Sequence, residues 1–227
     1  MRILAIETSG TTGSLAVMEG PDVIAQADLD PAFRTARTLA PGIRDLLGQI
    51  GWKPADVALV AVVIGPGSFT GLRLGVMTAK AFAYGIGAAI MGIDTLAVIA
   101  SQTPADAERV AVAVDAQRGD VYCAEFTRAT PGGVLQRVAP IEIAAANDWL
   151  AKLPAGTMLT GPALAKLPIA EAANYSLAAR DVWLPRAVTV GQLAAARWTA
   201  GERDDLWSLA PLYLRRSAAE EKRDAAK

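Results

Sequence analysis

A chain of 227 residues, 52% of them hydrophobic and with a net charge of −1, can bury a substantial core and lacks the basic surplus that binding a nucleic-acid backbone requires. Histidine is absent, which removes the commonest general base and the commonest transition-metal ligand, and with them a Ser-His-Asp triad, a Cys-His pair and an imidazole-bound zinc. Carboxylate, lysine or tyrosine chemistry is what remains, since the one cysteine, Cys123, permits no internal disulfide and its apolar strand context suits a core thiol.

The opening MRILAIETSG has neither a basic n-region nor a small-residue cleavage site, and no uninterrupted apolar run of about 18 residues follows it, so a cytoplasmic, non-membrane protein is expected. RILAIE, SLAVME and VIAQADL alternate in strand fashion around the turn clusters TSGTTG and GPD, predicting a three-stranded antiparallel meander. From Leu39 the period changes: Leu39, Ile43, Leu46, Leu47 and Ile50 share one face of an amphipathic helix, with Pro41 accommodated in its first turn. VALVAVVIG (residues 57–65) is apolar throughout, as a central strand covered on both faces is. The turn GPGSFTG then opens a helix from about Leu72 to Ile86, AIMGI (residues 89–93) forms a further strand, and Asp94 caps a following helix. A meander feeding a strand-helix-strand unit predicts a mixed sheet with helices on its faces.

At residue 109 the opening pattern returns. RVAVAVDAQRGDVYCAEF repeats the order of RILAIETSGTTGSLAVME, an apolar strand ending in an acid, a tight polar turn and a second apolar strand, with Glu7 and Asp115 in equivalent places. Two such hairpins half a chain apart indicate a duplicated lobe. Beyond them TPGG turns the chain, TMLTGP (residues 157–162) reads as a short strand, TVGQLAAARWTAG (residues 189–201) as a helix ending at Gly201, and SAAEEKRDAAK as a frayed tail. The expected division is an N-terminal lobe over residues 1–105, a smaller C-terminal lobe over 106–216 and the tail at 217–227.

A strand, an acid and a Thr/Gly/Ser turn can hold a metal-bound phosphate, with the turn amides meeting the oxygens. Glu7 with Thr8 keeps the acid and a suitable turn, whereas AQRGD after Asp115 has little phosphate-loop character and TGPALAK is the nearest string to an adenosine motif. The bland reading, strand-end acids as turn and cap residues, stands beside a vestigial nucleotide site, for which Glu7, Thr8 and Asp115 are the weak candidates. GPGSFTGLRLG matches neither Walker A, because Leu72 follows Gly71 where lysine is needed, nor the dinucleotide fingerprint, because Gly65, Gly67 and Gly71 are misspaced. A tight strand-to-helix turn explains its small residues, and the free amides of a helix N-terminus remain able to attract an anion. Arg118-Gly119-Asp120 is a turn tripeptide.

The helix after that turn is apolar or small on almost every side, with Arg73, Met77, Lys80 and Tyr84 forming one narrow stripe. A helix lying on a sheet buries about 100° of its circumference, so this one has apolar surface to spare. Packing on the Leu39 helix and contact with another protein are both open uses for it.

ILAIETS, GPGSFTGLRLG, VDAQRGDVYCAEF and PLYLRR, in that order along nearly the whole chain, resemble the bacterial TsaB (YeaZ) family, for which GPGSFTGLRLG is a highly specific signature. The resemblance implies an actin-like (ASKHA, ribonuclease H-like) two-lobe α/β fold of mixed sheets with flanking helices. It implies a non-catalytic subunit of the complex that forms N6-threonylcarbamoyladenosine at position 37 of tRNAs reading codons that begin with A. The catalytic work would belong to TsaD, which uses a histidine-bound metal, and ATPase activity to TsaE; this chain would hold no cofactor of its own and reach tRNA only through the complex. It would pair with TsaD, or with itself when alone, through the two N-lobe helices, here Leu39, Ile43, Leu46 and Leu47 on the first and Arg73, Met77, Lys80 and Tyr84 on the second. Many members carry a histidine where this chain has Arg34. The competing class is a self-sufficient actin-like ATPase or kinase with Glu7 and Asp115 at a Mg-nucleotide; a metalloprotease reading has neither ligands nor nucleophile to rest on.

Overall fold

The computed structural model describes residues 1–33, 35–167 and 174–215. The expected meander is present as β1 (Arg2–Glu7), β2 (Ser14–Glu19) and β3 (Asp22–Asp28), followed by α1 (Thr35–Gln49), β4 (Leu59–Gly65), α2 (Phe69–Ile86), β5 (Ala89–Asp94) and α3 (Thr95–Ser101). These strands form one mixed sheet in the order β3-β2-β1-β4-β5, antiparallel through the meander and parallel from β1 to β4 to β5. The second half supplies β6 (Arg109–Asp115), β7 (Asp120–Thr127), β8 (Gln136–Arg137), β9 (Glu142–Ala145), α4 (Ala146–Lys152), β10 (Met158–Thr160), β11 (Ser176–Leu177) and α5 (Ala187–Thr199). Its sheet runs β11-β10-β6-β7-β8, with β9 also on β7.

The repeat read from the sequence is a repeat of topology. In each sheet the acid-ending strand, β1 or β6, pairs antiparallel with the strand after its turn and parallel with a later strand on its other side, β4 or β10. The two sheets are thus built on one plan, a mixed sheet with flanking helices.

Strand alternation decides which helices go where. Leu4, Ile6, Leu15, Val17, Val60 and Val62 point to the face covered by α1 and α2, while Ile3, Ala5, Ala16, Met18, Ala61 and Val63 point to the face covered by α5. On the second sheet, Val110, Val112 and Ala124 meet Leu96, Ile99 and Ala100 of α3, and Ala111, Ala113 and Cys123 meet Trp149 of α4. Helix α3 therefore lies between the sheets, with α5 beside it on the first. Helix α5 comes from the second half of the chain yet packs on β1 and β2, so closely that a Cβ on Gly191 would strike the Met18 sulfur.

Three helices differ in their boundaries from expectation, and the simplest case is α5, which runs Ala187–Thr199 rather than over residues 189–201. Helix α1 begins at Thr35, so Pro41 lies in its interior rather than in its first turn; the residues before Leu39 are polar and carry no periodic signal, and the Pro41 ring faces solvent. Helix α2 begins at Phe69 because Ser68 caps it, its Oγ accepting from Gly71 N at 3.3 Å. The short elements β8, β9, α4 and β11 were not legible, being too brief for a period to establish itself. Arg34 and the tail expected to fray lie outside the described residues. Among those residues no helix is long and apolar enough to cross a membrane.

Asp94 acts as the expected cap of α3, its Oδ1 accepting from Leu96 N at 2.7 Å and Ala97 N at 3.1 Å, while Oδ2 pairs with Arg137 of the other sheet. Burial raises its pKa above the ordinary carboxylate range, with Arg137 opposing. Asp94→Ala is expected to lower the unfolding free energy by about 1–3 kcal/mol, from the lost cap and the stranded Arg137, as read from urea midpoints.

Candidate functional site

The start of α2 seats on the first two residues of the turn after β1, while Thr11 and Thr12 at its tip are exposed. Ser9 carbonyl accepts from Ser68 N at 2.7 Å, and a Cβ on Gly71 or Gly75 would fall onto the Thr8 carbonyl or hydroxyl, so α2 seats directly on residues 8 and 9 through its glycines. Glu7 is fully buried, and its Oε1 accepts from Ser9 N at 2.6 Å and from Ser9 Oγ at 2.5 Å. Its Oε2 and the Thr8 hydroxyl have no partner. Burial pushes the Glu7 pKa up to about 7 from an ordinary 4.5, against the lowering effect of the Ser9 and Gly10 hydrogen bonds.

Asp115 has the opposite environment. Lys166 bonds it at 2.6 Å and holds its pKa below the ordinary range, and its Oδ1 accepts from Gln117 N at 2.7 Å. It borders a cavity of about 390 Å³ shared with Gln117, Arg118, Asp120, Ala163 and Lys166. Glu7 and Asp115 occupy matching ends of β1 and β6, as expected, but in different sheets and with different partners. Among the described residues no group of three acids or thiols is placed to hold a metal. The Cys123 thiol is buried and pushed up to about 11, chiefly by burial, which leaves it unreactive near neutral pH.

The two halves of the sequence-predicted interface part company. Leu39, Ile43, Leu46 and Leu47 are only 2–4% exposed, because α1 turns this face onto β2 and α2; they are core residues and cannot meet a partner without unfolding α1. The α2 stripe faces outward, with Met77 65% and Tyr84 67% exposed. Of the two uses considered for the surplus apolar surface of α2, packing against α1 is observed, since its inner side lies in the same core.

Sequence reasoning missed what lies across the stripe. Residues 204–215 run over α2 as a strap that carries one turn at residues 206–208, closed by Leu209 N on the Asp205 carbonyl at 3.1 Å. Lys80 Nζ donates to the carbonyls of Trp207 and Leu209 at 2.9 Å each, and Arg73 donates to Tyr213 Oη at 2.9 Å while lying 4.1 Å over the Phe69 ring. Tyr84 and Trp207 meet edge to face at 5.4 Å, and Trp207 remains 72% exposed. The result is a continuous band in which Tyr213, Arg73, Met77, Tyr84 and Trp207 are open to solvent. The available signal was the density of aromatic and leucine residues in LWSLAPLYLRR, a segment with no helical or strand period to explain it.

The Glu7 environment predicts a pH dependence. The folded chain keeps a proton between pH 4.5 and 7 that the unfolded chain sheds, so the contribution is full below 4.5 and is lost as pH rises through 7. Between pH 4.5 and 8 the wild type should lose on the order of 3 kcal/mol more unfolding free energy than Glu7→Gln, measured by urea titration at each pH; parallel curves would contradict it.

A family model described as TsaD, tRNA N6-adenosine threonylcarbamoyltransferase, matches residues 34–160. The tRNA threonylcarbamoyladenosine biosynthesis protein TsaB of Escherichia coli is 30% identical over 226 residues, covering 96% of either chain. The protein of the same name from Bacillus subtilis is 31% identical over 153 residues, 67% of this chain and 66% of its own. The solved structure of YeaZ from Pseudomonas aeruginosa superposes with a TM-score of 0.78 at 25% identity, covering 94% of this chain and 99% of that one. Matched by the TsaD model over more than half its length and by a TsaB protein from end to end, this chain belongs to the TsaB (YeaZ) family.

Proposed function

We propose that this chain is a non-catalytic scaffold subunit in the formation of N6-threonylcarbamoyladenosine at position 37 of tRNAs reading codons that begin with A. Its task is to bind and stabilise the catalytic subunit TsaD. The relatives' names supply the pathway, since proteins called tRNA threonylcarbamoyladenosine biosynthesis protein TsaB align with it. The observation that carries the docking role is the band on α2 and the strap, where Met77, Tyr84 and Trp207 stand 65–72% exposed beside Arg73. Exposed methionine, aromatic and arginine side chains gathered on one rigid face are the composition of a protein interface.

Without histidine the chain has no imidazole with which to hold a catalytic metal, so the chemistry falls to TsaD, with TsaE supplying ATPase activity. In the absence of TsaD the same face serves a homodimer. tRNA is engaged through the complex, and the chain needs no cofactor of its own.

The second reading, an ATPase or kinase acting alone with Glu7 and Asp115, has the cavity beside Asp115 in its favour. Calorimetry with MgATP separates the two: the scaffold reading expects no binding that depends on Glu7, and tight binding lost in Glu7→Ala would replace it.

Met77→Asp and Tyr84→Asp should each weaken binding to TsaD at least about thirtyfold, because a charge with no partner is buried only in the complex. Both residues are largely exposed, so the isolated chain should lose about 1 kcal/mol or less. Val134→Asp, at a site 80% exposed on the other half of the molecule, should bind TsaD normally. Full pairing by both α2 variants in a titration would remove α2 from the interface.

A further inference from the structure

The strap that crosses α2 is anchored to both sheets. Near its start, Asp204 bridges Ile90 of β5, and its carboxylate accepts from Gly92 N at 2.8 Å. Midway, Lys80 holds the carbonyls of Trp207 and Leu209, and Leu212 N donates to the Ile64 carbonyl of β4 at 2.7 Å. At its end Arg215 leaves the first sheet behind, donating to the Ala116 carbonyl and pairing with the Asp120 carboxylate at 2.5 Å. Ala116 and Asp120 bracket the turn between β6 and β7, and Asp120 lines the cavity beside Asp115.

That turn is one an outside clamp can influence. Gln117 and Arg118 hold φ values of 65° and 57°, a region non-glycine residues seldom occupy, and Gly119 follows at 84°. Its bonds include Ala116 N to the Asp120 carbonyl, Asp120 N to the Gln117 carbonyl and Gln117 N to Asp115, and the Gly119 carbonyl accepts from Ala146 N at the start of α4 at 3.2 Å. Arg215 ties its two ends together from the side.

We propose that residues 204–215 form a mechanical link through which a partner seated on the α2 face tightens the 116–120 turn and the cavity it borders. The proposal rests on the docking reading above. A partner that covers Trp207 and Tyr213 restrains the strap at its middle, and a strap restrained there holds Arg215 more firmly on the turn. By linkage, whatever fills or rigidifies the cavity strengthens partner binding by the same factor.

Amide hydrogen exchange at Ala116, Gln117 and Asp120, followed by NMR, tests the link. In the chain alone, Arg215→Ala should speed these amides about tenfold, as loss of a charged hydrogen-bonded pair does. Asp120→Asn, which keeps the shape of the side chain, should act in the same direction should the alanine variant fold poorly. Lys80→Met, whose own contacts are to the strap and not to the turn, should speed the same amides about threefold. Adding the TsaD protein of the same organism should slow them about threefold in the wild type and leave them unchanged in Arg215→Ala. Unchanged exchange in Lys80→Met, or protection by TsaD that is absent or equal in both chains, overturns the link while leaving the docking reading standing. Failure of TsaD to bind defeats the docking reading, and the Lys80→Met comparison then decides the link in the chain alone.

Discussion

The seating of α2 on the turn after β1 is the contact from which most else follows. Gly71 and Gly75 lie against Thr8 with no room for a side chain, and Ser68 N bonds the Ser9 carbonyl, so the first two turns of the helix have a single position. Two consequences come from one contact. Residues 8 and 9 of the turn have their backbone pressed against a helix, and Glu7 beneath them is sealed from water. The helix is held at a fixed rotation, with Leu72, Val76, Ala79 and Ala83 inward and Met77 and Tyr84 outward. The burial of Glu7 and the fixed outer face of α2 therefore come from the same seating.

The two hairpins show how far a common plan can diverge. Both sheets place an acid at the end of a strand flanked by an antiparallel and a parallel neighbour. Glu7 is buried with one oxygen unpartnered and rises toward neutrality, whereas Asp115 is half-open, paired with Lys166 and held ionised. The difference is one of environment: a helix seats on residues 8 and 9 beside the first acid, and a cavity opens beside the second. An actin-like scaffold supplies the positions, and the local packing decides their chemistry.

Much of this was legible from residue patterns because each signal was local. The meander, the buried β4 and the β6-β7 hairpin follow from period-two alternation and turn residues, and the cap at Asp94 from residue type. The repeat was readable because its acid, turn and strands recur in order. What escaped was the outcome of competition between surfaces. Leu39, Ile43, Leu46 and Leu47 form a clean amphipathic face, and periodicity alone does not say whether a sheet or a partner covers it; here β2 and α2 do. The strap was invisible for the converse reason. Its aromatics have no period, and their role depends on Lys80 and Arg73, more than a hundred residues earlier in the chain.

An apolar band on a rigid helix, completed by Trp207 and Tyr213 from the strap, is the central claim, and oxidative footprinting tests it directly. Met77 and Trp207 are oxidisable side chains well exposed on that face, and both should react readily in the chain alone. In complex with TsaD the account predicts that both are shielded while Met1, elsewhere on the surface, reacts as before. A stable complex in which Met77 and Trp207 oxidise at the rate of the free chain would contradict it.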